Sequence, residues 1–222
     1  MDIAHLIQTV ALYALPVLFA ITVHEAAHGY AARHFGDNTA YALGRITLNP
    51  IKHIDPIGTL LMPLLLYFAT GGTFLFGYAK PVPVRFGKLR HPKRDMVWVA
   101  LAGPAANFIM AFLWGVLLFV LRGTGVTETF FLKMAQGGVL VNVVMFAFNL
   151  FPLPPLDGGR ILVGLLPYRQ AEFVARAEPW GFFIVMGLVI AGVVSTLWMQ
   201  PLMRLTYGLL DLLLTPFAMI FG

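Results

Sequence analysis

The feature that most restricts the fold of this 222-residue sequence is an apolar stretch that ends in ionisable groups. Residues 7 to about 32 form a run long enough to cross the roughly 30 Å hydrocarbon core of a bilayer. The last third of that run contains the sequence HEAAH, from His24 to His28. A charged group at the bilayer centre costs at least about 2.5–3.5 kcal/mol. A membrane helix with these groups must therefore give them partners or a function.

The composition indicates a membrane protein with little material outside the bilayer. Of all residues, 59% are hydrophobic and 11% are charged, whereas soluble domains carry about 25% charged residues. Further apolar stretches follow at 58–76, 96–121, 137–156, 181–199 and 202–221. We predict an all-α polytopic membrane protein of about five to six hydrophobic helices. It forms a single domain over 1–222, with a catalytic core at about 7–165 and C-terminal helices at about 181–221; whether 202–221 spans the bilayer stays open.

The net charge of +5 does not indicate a nucleic-acid partner. The basic residues lie between apolar segments, which is where cytoplasmic loops of membrane proteins collect Lys and Arg. The partner that this charge distribution predicts is the lipid bilayer. The absence of Cys excludes disulfides and thiolate metal ligands.

The HEAAH motif has the spacing of a metal site. His24 and His28 are one helical turn apart, so both imidazoles can reach one ion, and Glu25 can act on a water beside that ion as general base. This is the arrangement of zinc hydrolases, in which the metal activates water and polarises a carbonyl. The alternative is a polar patch among lipid headgroups. Three ionisable groups in this order within an apolar helix favour the metal site.

A catalytic zinc site usually has a third protein ligand, and Asp157 is the best candidate. It ends an apolar stretch in the sequence FPLPPLDGGR, where three prolines prevent a regular helix and two glycines permit a sharp turn. Considered alone, Asp157 would be interpreted as a loop carboxylate paired with Arg160. The presence of HEAAH and the absence of Cys favour the interpretation of Asp157 as a metal ligand.

Three motifs together resemble the site-2 protease family of intramembrane zinc metalloproteases. They are HEAAH at 24–28, GPAAN at 103–107 and NLFPLPPLDGGR at 149–160. The likeness covers about residues 10–165 and is closest to the short bacterial branch without PDZ or regulatory domains.

The resemblance implies one Zn²⁺ ion held by His24, His28 and Asp157, with Glu25 as general base. It also implies that Asn149 contacts the substrate or the developing oxyanion, and that the enzyme hydrolyses peptide bonds of membrane-spanning protein substrates. A membrane metal-ion transporter and a non-catalytic binding protein with the same ligands are the alternatives. The spans at 96–121 and 181–199, almost free of charge, disfavour the transporter.

The three ligands also predict the topology. For the histidines and Asp157 to meet, the segment 58–76 must not cross the membrane, so we predict a re-entrant or membrane-packed segment that turns at Pro63 or at Gly71-Gly72. With this arrangement, twelve of the 15 Lys and Arg residues lie on one side. The positive-inside rule then places the N-terminus outside and the active site toward the cytoplasmic side of the cell membrane.

Residues 37–56 show partial alternation of polar and apolar residues, which predicts a short β-hairpin near the active site. Residues 41–49 can then offer a strand edge to an unwound substrate, or can simply cover the site. His53 and Asp55 form a further polar pair, for which a structural hydrogen bond is favoured over a second metal. The sequence leaves the oligomeric state open.

Overall fold

The computed structural model describes residues 3–61, 65, 77 and 79–221, and all regular structure in these ranges is helical. The α-helices there are α1 (Ile3–His34), α2 (Thr39–Ala42), α3 (Pro92–Gly123), α4 (Thr129–Asn149), α5 (Asp157–Leu165), α6 (Tyr168–Ala175), α7 (Glu178–Ile190) and α8 (Gln200–Phe221). Short 3-10 turns lie at Pro50–Lys52 and Phe86–Lys88, and π-helical turns lie at Pro56–Leu61 and Val194–Met199.

Four helical segments of the described chain are long and apolar enough to cross a membrane. They are α1, α3, α4 and the segment Val194–Phe221 that ends in α8; the pair α6 and α7, bent by 67°, makes a fifth if it is counted as one span. The predicted five to six hydrophobic helices are therefore confirmed in part, since the described residues contain four to five. The stretch 181–199 is interrupted, since α7 has 13 residues, fewer than the roughly 20 that a span needs. Gly192, with φ of +75°, redirects the chain after it.

The β-hairpin predicted for residues 37–56 is wrong. These residues are all described, and they form α2, a 3-10 turn and irregular chain without a strand. The cause is local: Asp37 accepts hydrogen bonds from the backbone N–H and the hydroxyl of Thr39, and Asn49 accepts one from the backbone N–H of Ile51. Such side-chain bonds hold the backbone in turns and compete with strand pairing. The strand edge suggested for residues 41–49 fails with the hairpin.

Helices α1 and α3 run antiparallel, and this fixes the part of the topology that matters for the site. His28 contacts the carbonyl of Val99, whereas His24, one turn earlier, contacts Asn107, further along α3. The chain therefore leaves α1 and enters α3 at the same end of the bundle, as the predicted topology requires. The turn predicted within 58–76 itself lies outside the described residues.

The core of the bundle lies around the second half of α3. Ala111, Val143, Leu210 and Leu214 form a buried apolar cluster contributed by α3, α4 and α8. Helix α8 runs parallel to α3, because Leu214 lies against Gly115 and Phe221 lies against Gly123. The C-terminal helix thus packs on the same helix that faces the histidines.

Candidate active site

The structure brings the three predicted metal ligands together from two distant segments. His24 and His28 lie on one face of α1 and are 5% and 8% exposed. Asp157 is the first residue of α5, and its side chain is 13% exposed. One ligand atom from each residue lies within 4.8 Å of the other two.

The turn between α4 and α5 delivers Asp157 to the histidines. Helix α4 ends at Asn149, and the chain from there folds back against the first turn of α5. A Cβ on Gly158 would overlap the carbonyl of Leu150, and one on Gly159 would overlap Pro154. Because the two glycines allow this close approach, the carboxylate points back toward α1.

Arg160 does not pair with Asp157 in this arrangement. It contacts Glu178 at 3.3 Å, at the start of α7. The interpretation of Asp157 as a loop carboxylate neutralised by Arg160 therefore fails.

The protonation of the His24 ring follows from its neighbours. The Asn107 side-chain Nδ2 donates to the carbonyl of Ala20 and to Oδ1 of Asn142, so its own Oδ1 faces His24. That oxygen lies 2.6 Å from His24 Nδ1. Since Asn107 Oδ1 can only accept, Nδ1 carries the proton and Nε2 presents a lone pair.

His28 is fixed in the same way. Its Nδ1 lies 2.7 Å from the carbonyl oxygen of Val99, which can only accept a hydrogen bond, so Nε2 again presents a lone pair. The two Nε2 atoms are 3.0 Å apart, and they lie 3.2 and 3.3 Å from Oδ2 of Asp157. Asp157 Oδ2 is buried and has no hydrogen-bond donor.

With both rings neutral and their Nδ1 protons on Asn107 and Val99, the two Nε2 lone pairs and Asp157 Oδ2 converge on one point, an arrangement that a bound cation would stabilise. Two ligands of a tetrahedral ion at 2.0–2.1 Å are about 3.3 Å apart, close to the observed separations of 3.0 to 3.3 Å. Two imidazoles and one carboxylate form a donor set that zinc hydrolases use. The residues present fit a zinc ion.

Gly103 on α3 gives the histidines their space. A Cβ at this position would lie within 2.6 Å of His24 Cε1 and closer still to His28 Nε2. Pro104 and Asn107, in the same motif, are also fully buried, and Asn107 contacts α1. The GPAAN motif therefore supports the site by close packing and by the interhelical hydrogen bonds of Asn107.

Glu25 is half-buried and lies on the same turn of α1 as His24 and His28, and its hydrogen-bond partner comes from a loop. Its Oε2 accepts a hydrogen bond of 2.6 Å from the backbone N–H of Val82. A carboxylate that accepts one backbone hydrogen bond still has its second oxygen for a water molecule.

Asn149 is turned back on its own helix. Its Nδ2 donates to the carbonyl of Met145 at 3.0 Å, one turn earlier in α4. His53 and Asp55 do not pair with each other: His53 Nε2 lies 2.9 Å from the carbonyl of Thr47, and Asp55 Oδ1 accepts from two backbone N–H groups that follow it. His53 therefore makes a structural hydrogen bond to the backbone, as favoured from the sequence, although its partner is Thr47 and not Asp55.

Two contributions to the site were missed at the sequence level. Asn142, in the middle of α4, accepts from Asn107 and so steadies the residue that orients His24. An asparagine within an apolar span was a signal for such a buried hydrogen bond. Val82 gave no signal, because its contribution is a backbone N–H.

The fold and the site define a class of protein: a helical membrane protein with a His-Glu-x-x-His motif in one span and a carboxylate delivered by another segment. The comparison with known sequences is specific. Residues 12–192 match peptidase family M50, the site-2 protease family, and the chain belongs to that family.

Relatives carry consistent names. The chain is 38% identical to the "Putative zinc metalloprotease YwhC" of Bacillus subtilis over 194 residues, 83% of each chain. It is 34% identical to Rip2 of Mycolicibacterium smegmatis, named in the same words, over 175 residues; these are 78% of this chain and 64% of the relative. Rip3 of Mycobacterium tuberculosis is 26% identical, and the match covers 84% of this chain but 42% of the relative. No solved structure matches the chain significantly.

Family membership, the apolar helices and the convergent donors agree on the activity. The chain is a zinc-dependent intramembrane metalloprotease of the site-2 protease type. This function was predicted from the sequence motifs and is confirmed, whereas the transporter and the non-catalytic binding protein are not supported.

Proposed function

We propose that His24, His28 and Asp157 hold the zinc ion and that Glu25 is the general base of peptide hydrolysis. The observation that carries this assignment is the convergence of two imidazole Nε2 atoms and one unpaired carboxylate oxygen within 3.3 Å of one another. The chemistry that zinc supplies when bound is Lewis-acid polarisation of a peptide carbonyl and of water.

Glu25 has the position to move the proton in this reaction. With Oε2 held by Val82, the other carboxylate oxygen is available to take a proton from the attacking water and to return it to the amine nitrogen of the leaving peptide. His24 and His28 keep their Nδ1 protons on Asn107 and Val99, which holds both rings in the tautomer that a metal requires.

Asn149 is proposed to contact the substrate or the developing oxyanion. In the structure its amide donates to Met145, so this role requires the side chain to rotate away from α4 when a substrate binds. A side-chain amide donor aimed at a developing negative charge is a recurring device in acyl transfer.

The substrates are proposed to be membrane-spanning proteins, cut within or near the bilayer. Support comes from the position of the site: two of its three proposed ligands, His24 and His28, lie on a helix with the length and hydropathy of a membrane span. The whole chain, residues 1–222, is proposed to be one membrane-embedded domain, because α8 packs directly on α3.

The test of the proposed chemistry is the substitution Glu25→Gln. It keeps the shape of the side chain and its bond with Val82 but removes the proton acceptor. We expect cleavage of a membrane-spanning substrate in proteoliposomes to fall by about 10²- to 10⁴-fold, the usual contribution of a general base, with zinc content unchanged. Glu172→Gln, at an exposed carboxylate on α6, is the control and should stay fully active. Full activity of Glu25→Gln would reject the mechanism.

The active site is proposed to face the cytoplasm, supported by the excess of Lys and Arg in the loops at its end of the bundle. Because the chain has no Cys, single cysteines report the orientation cleanly. Gly87→Cys lies at the site end, in a position with open space around it, and Thr127→Cys lies at the opposite end, after α3. An impermeant thiol reagent applied to intact cells should label Thr127→Cys and spare Gly87→Cys; the reverse labelling would overturn the orientation.

A further inference from the structure

A short extended segment crosses the face of α1 beside the metal ligands. It comprises residues 80–85, with the sequence KPVPVR, and is called the strap here. Neither its sequence nor the family motifs described above assign it a role.

The backbone donors of the strap are arranged so that one of them points at Glu25. Pro81 and Pro83 have no N–H, and the N–H of Val82, between them, donates to Glu25 Oε2 at 2.6 Å. The N–H of Val84, the next available donor, makes no hydrogen bond within the part of the chain that the structure describes. The strap therefore presents one backbone donor, held between two rigid residues, to the carboxylate.

Both ends of the strap are tethered to the loops that follow α1. At its start, the Lys80 N–H donates to the carbonyl of His53 at 2.9 Å, and Arg45 donates to the carbonyls of Lys80 and Pro81. At its end, the Arg85 N–H donates to Oδ2 of Asp37 at 2.6 Å.

Asp37 is a strong tether because it is ionised and fully buried. Burial by itself raises the pKa of the Asp37 carboxyl, but hydrogen bonds from the Thr39 hydroxyl and from the backbone N–H groups of Arg85 and Thr39 outweigh that effect. Together with the nearby charge of Lys88, they hold the pKa below its ordinary value of 3.8. The tether thus persists throughout the neutral pH range.

The strap also fits against α1 at close range. A Cβ on Gly29, one turn after Glu25, would lie 3.2 Å from Cγ1 of Val82 and 2.9 Å from Cγ1 of Ile46. The absence of a side chain at Gly29 is what lets the strap approach until its N–H reaches the carboxylate.

We propose that the strap is a positioning element of the catalytic site, and that the Val82 N–H holds Glu25 in the orientation required for proton transfer. This inference rests on the proposed role of Glu25 as general base. The bond engages one carboxylate oxygen and directs the other, so it acts on the chemical step and not on metal binding.

The experiment compares two valines of the strap that each follow a proline. Val82→Pro removes the N–H that Glu25 accepts, and Val84→Pro removes an N–H outside this contact. Val82→Ala keeps the N–H and trims the side chain that faces Gly29. For each full-length variant in proteoliposomes, kcat, KM, zinc content and thermal unfolding are measured beside Glu25→Gln.

We expect Val82→Pro to lower kcat by roughly 10- to 100-fold, the effect of losing one hydrogen bond to a charged group, with KM and zinc content near those of the wild type. Val84→Pro should keep kcat within about threefold of the wild type, since it retains the bond to Glu25. Val82→Ala, which keeps the N–H, should show much less of the kcat loss seen in Val82→Pro.

Three results would overturn the proposal: equal losses in Val82→Pro and Val84→Pro, loss of zinc in Val82→Pro, or an equal loss of kcat in Val82→Ala. Failure of the general-base mechanism has a separate signature, which is full activity of Glu25→Gln whatever the strap variants do.

Discussion

The two halves of helix α3 use the same packing device to hold different neighbours. In the first half, Gly103 admits the imidazoles of α1, and Asn107 joins α1 to α4 through hydrogen bonds. In the second half, Gly115 and Gly123 admit the apolar side chains of α8. Because glycine has no Cβ, the neighbouring helix approaches closely in both places. The side chains that fill the space are polar imidazoles in the first half and apolar side chains in the second.

The difference extends to the buried polar atoms. Asn107 uses both its amide hydrogens and its oxygen, on Ala20, Asn142 and His24. Eleven angstroms or so further along the helix axis, by the usual rise per residue, the indole Nε1 of Trp114 is buried without a partner in the described part of the chain. In the first half of α3 the hydrogen bonds of Asn107 orient His24, whereas the second half tolerates the unpaired indole N–H of Trp114 because only packing is needed there.

The sharpest way to break this comparison is to add one methyl group to each half. Gly103→Ala places a Cβ among the imidazole atoms of His24 and His28, which cannot move without leaving the metal position. We expect activity to fall by roughly 100-fold or more, the scale of an ångström-size misplacement of catalytic groups, with zinc content reduced.

Gly115→Ala is the matched control, because it is the same substitution in the same helix. Its Cβ would meet Cδ1 of Leu214 at 2.6 Å, the mobile end of a flexible side chain. Activity and zinc content should stay near wild type, while thermal stability in micelles falls by an amount equivalent to about 1–3 kcal/mol. Comparable loss of zinc in both variants would show that the halves of α3 are not distinct.

The convergence of His24, His28 and Asp157 could be predicted from sequence because ionisable residues in or at the end of apolar stretches need a partner or a function. His24, Glu25 and His28 are costly in an apolar helix, and Asp157 follows a proline-rich break at the end of another apolar stretch. The requirement that they meet also gave the antiparallel relation of α1 and α3. What the sequence did not disclose is the support: the Val99 carbonyl and the Val82 N–H belong to the backbone, and their residue types carry no information about them.

The failed hairpin shows the limit of reading periodicity in polar segments. Alternation over residues 37–56 gave a strand signal, but Asp37 and Asn49 each bond to a backbone N–H two residues ahead and begin a helical turn. The same Asp37 then serves as the anchor of the strap. Over so few residues, local hydrogen bonds outweigh a weak alternation of hydrophobicity.

The smallest effect that we expect is a difference in stability between substitutions of two tryptophans, Trp198 near the site end of the bundle and Trp114 further from it. Trp198 Nε1 donates to the Ala147 carbonyl at 2.9 Å, near the end of α4 that leads to Asp157, and its ring stacks edge-to-face on Phe151. Trp198→Phe loses this bond and leaves a helix-end carbonyl unpaired, at a cost of about 1–3 kcal/mol. Trp114→Phe instead removes a buried N–H without a partner, a gain that offsets the cavity it leaves.

We therefore expect Trp198→Phe to lower the unfolding temperature in micelles more than Trp114→Phe does. The order is informative because Trp114, at 9% exposure, is the more buried of the two. If cavity formation alone decided stability, Trp114→Phe would be the more damaging substitution. That outcome would show that the hydrogen bond at the end of α4 contributes less to stability than the packing around Trp114 in the second half of α3. Packing, and not hydrogen bonding, would then be the main source of stability at both positions.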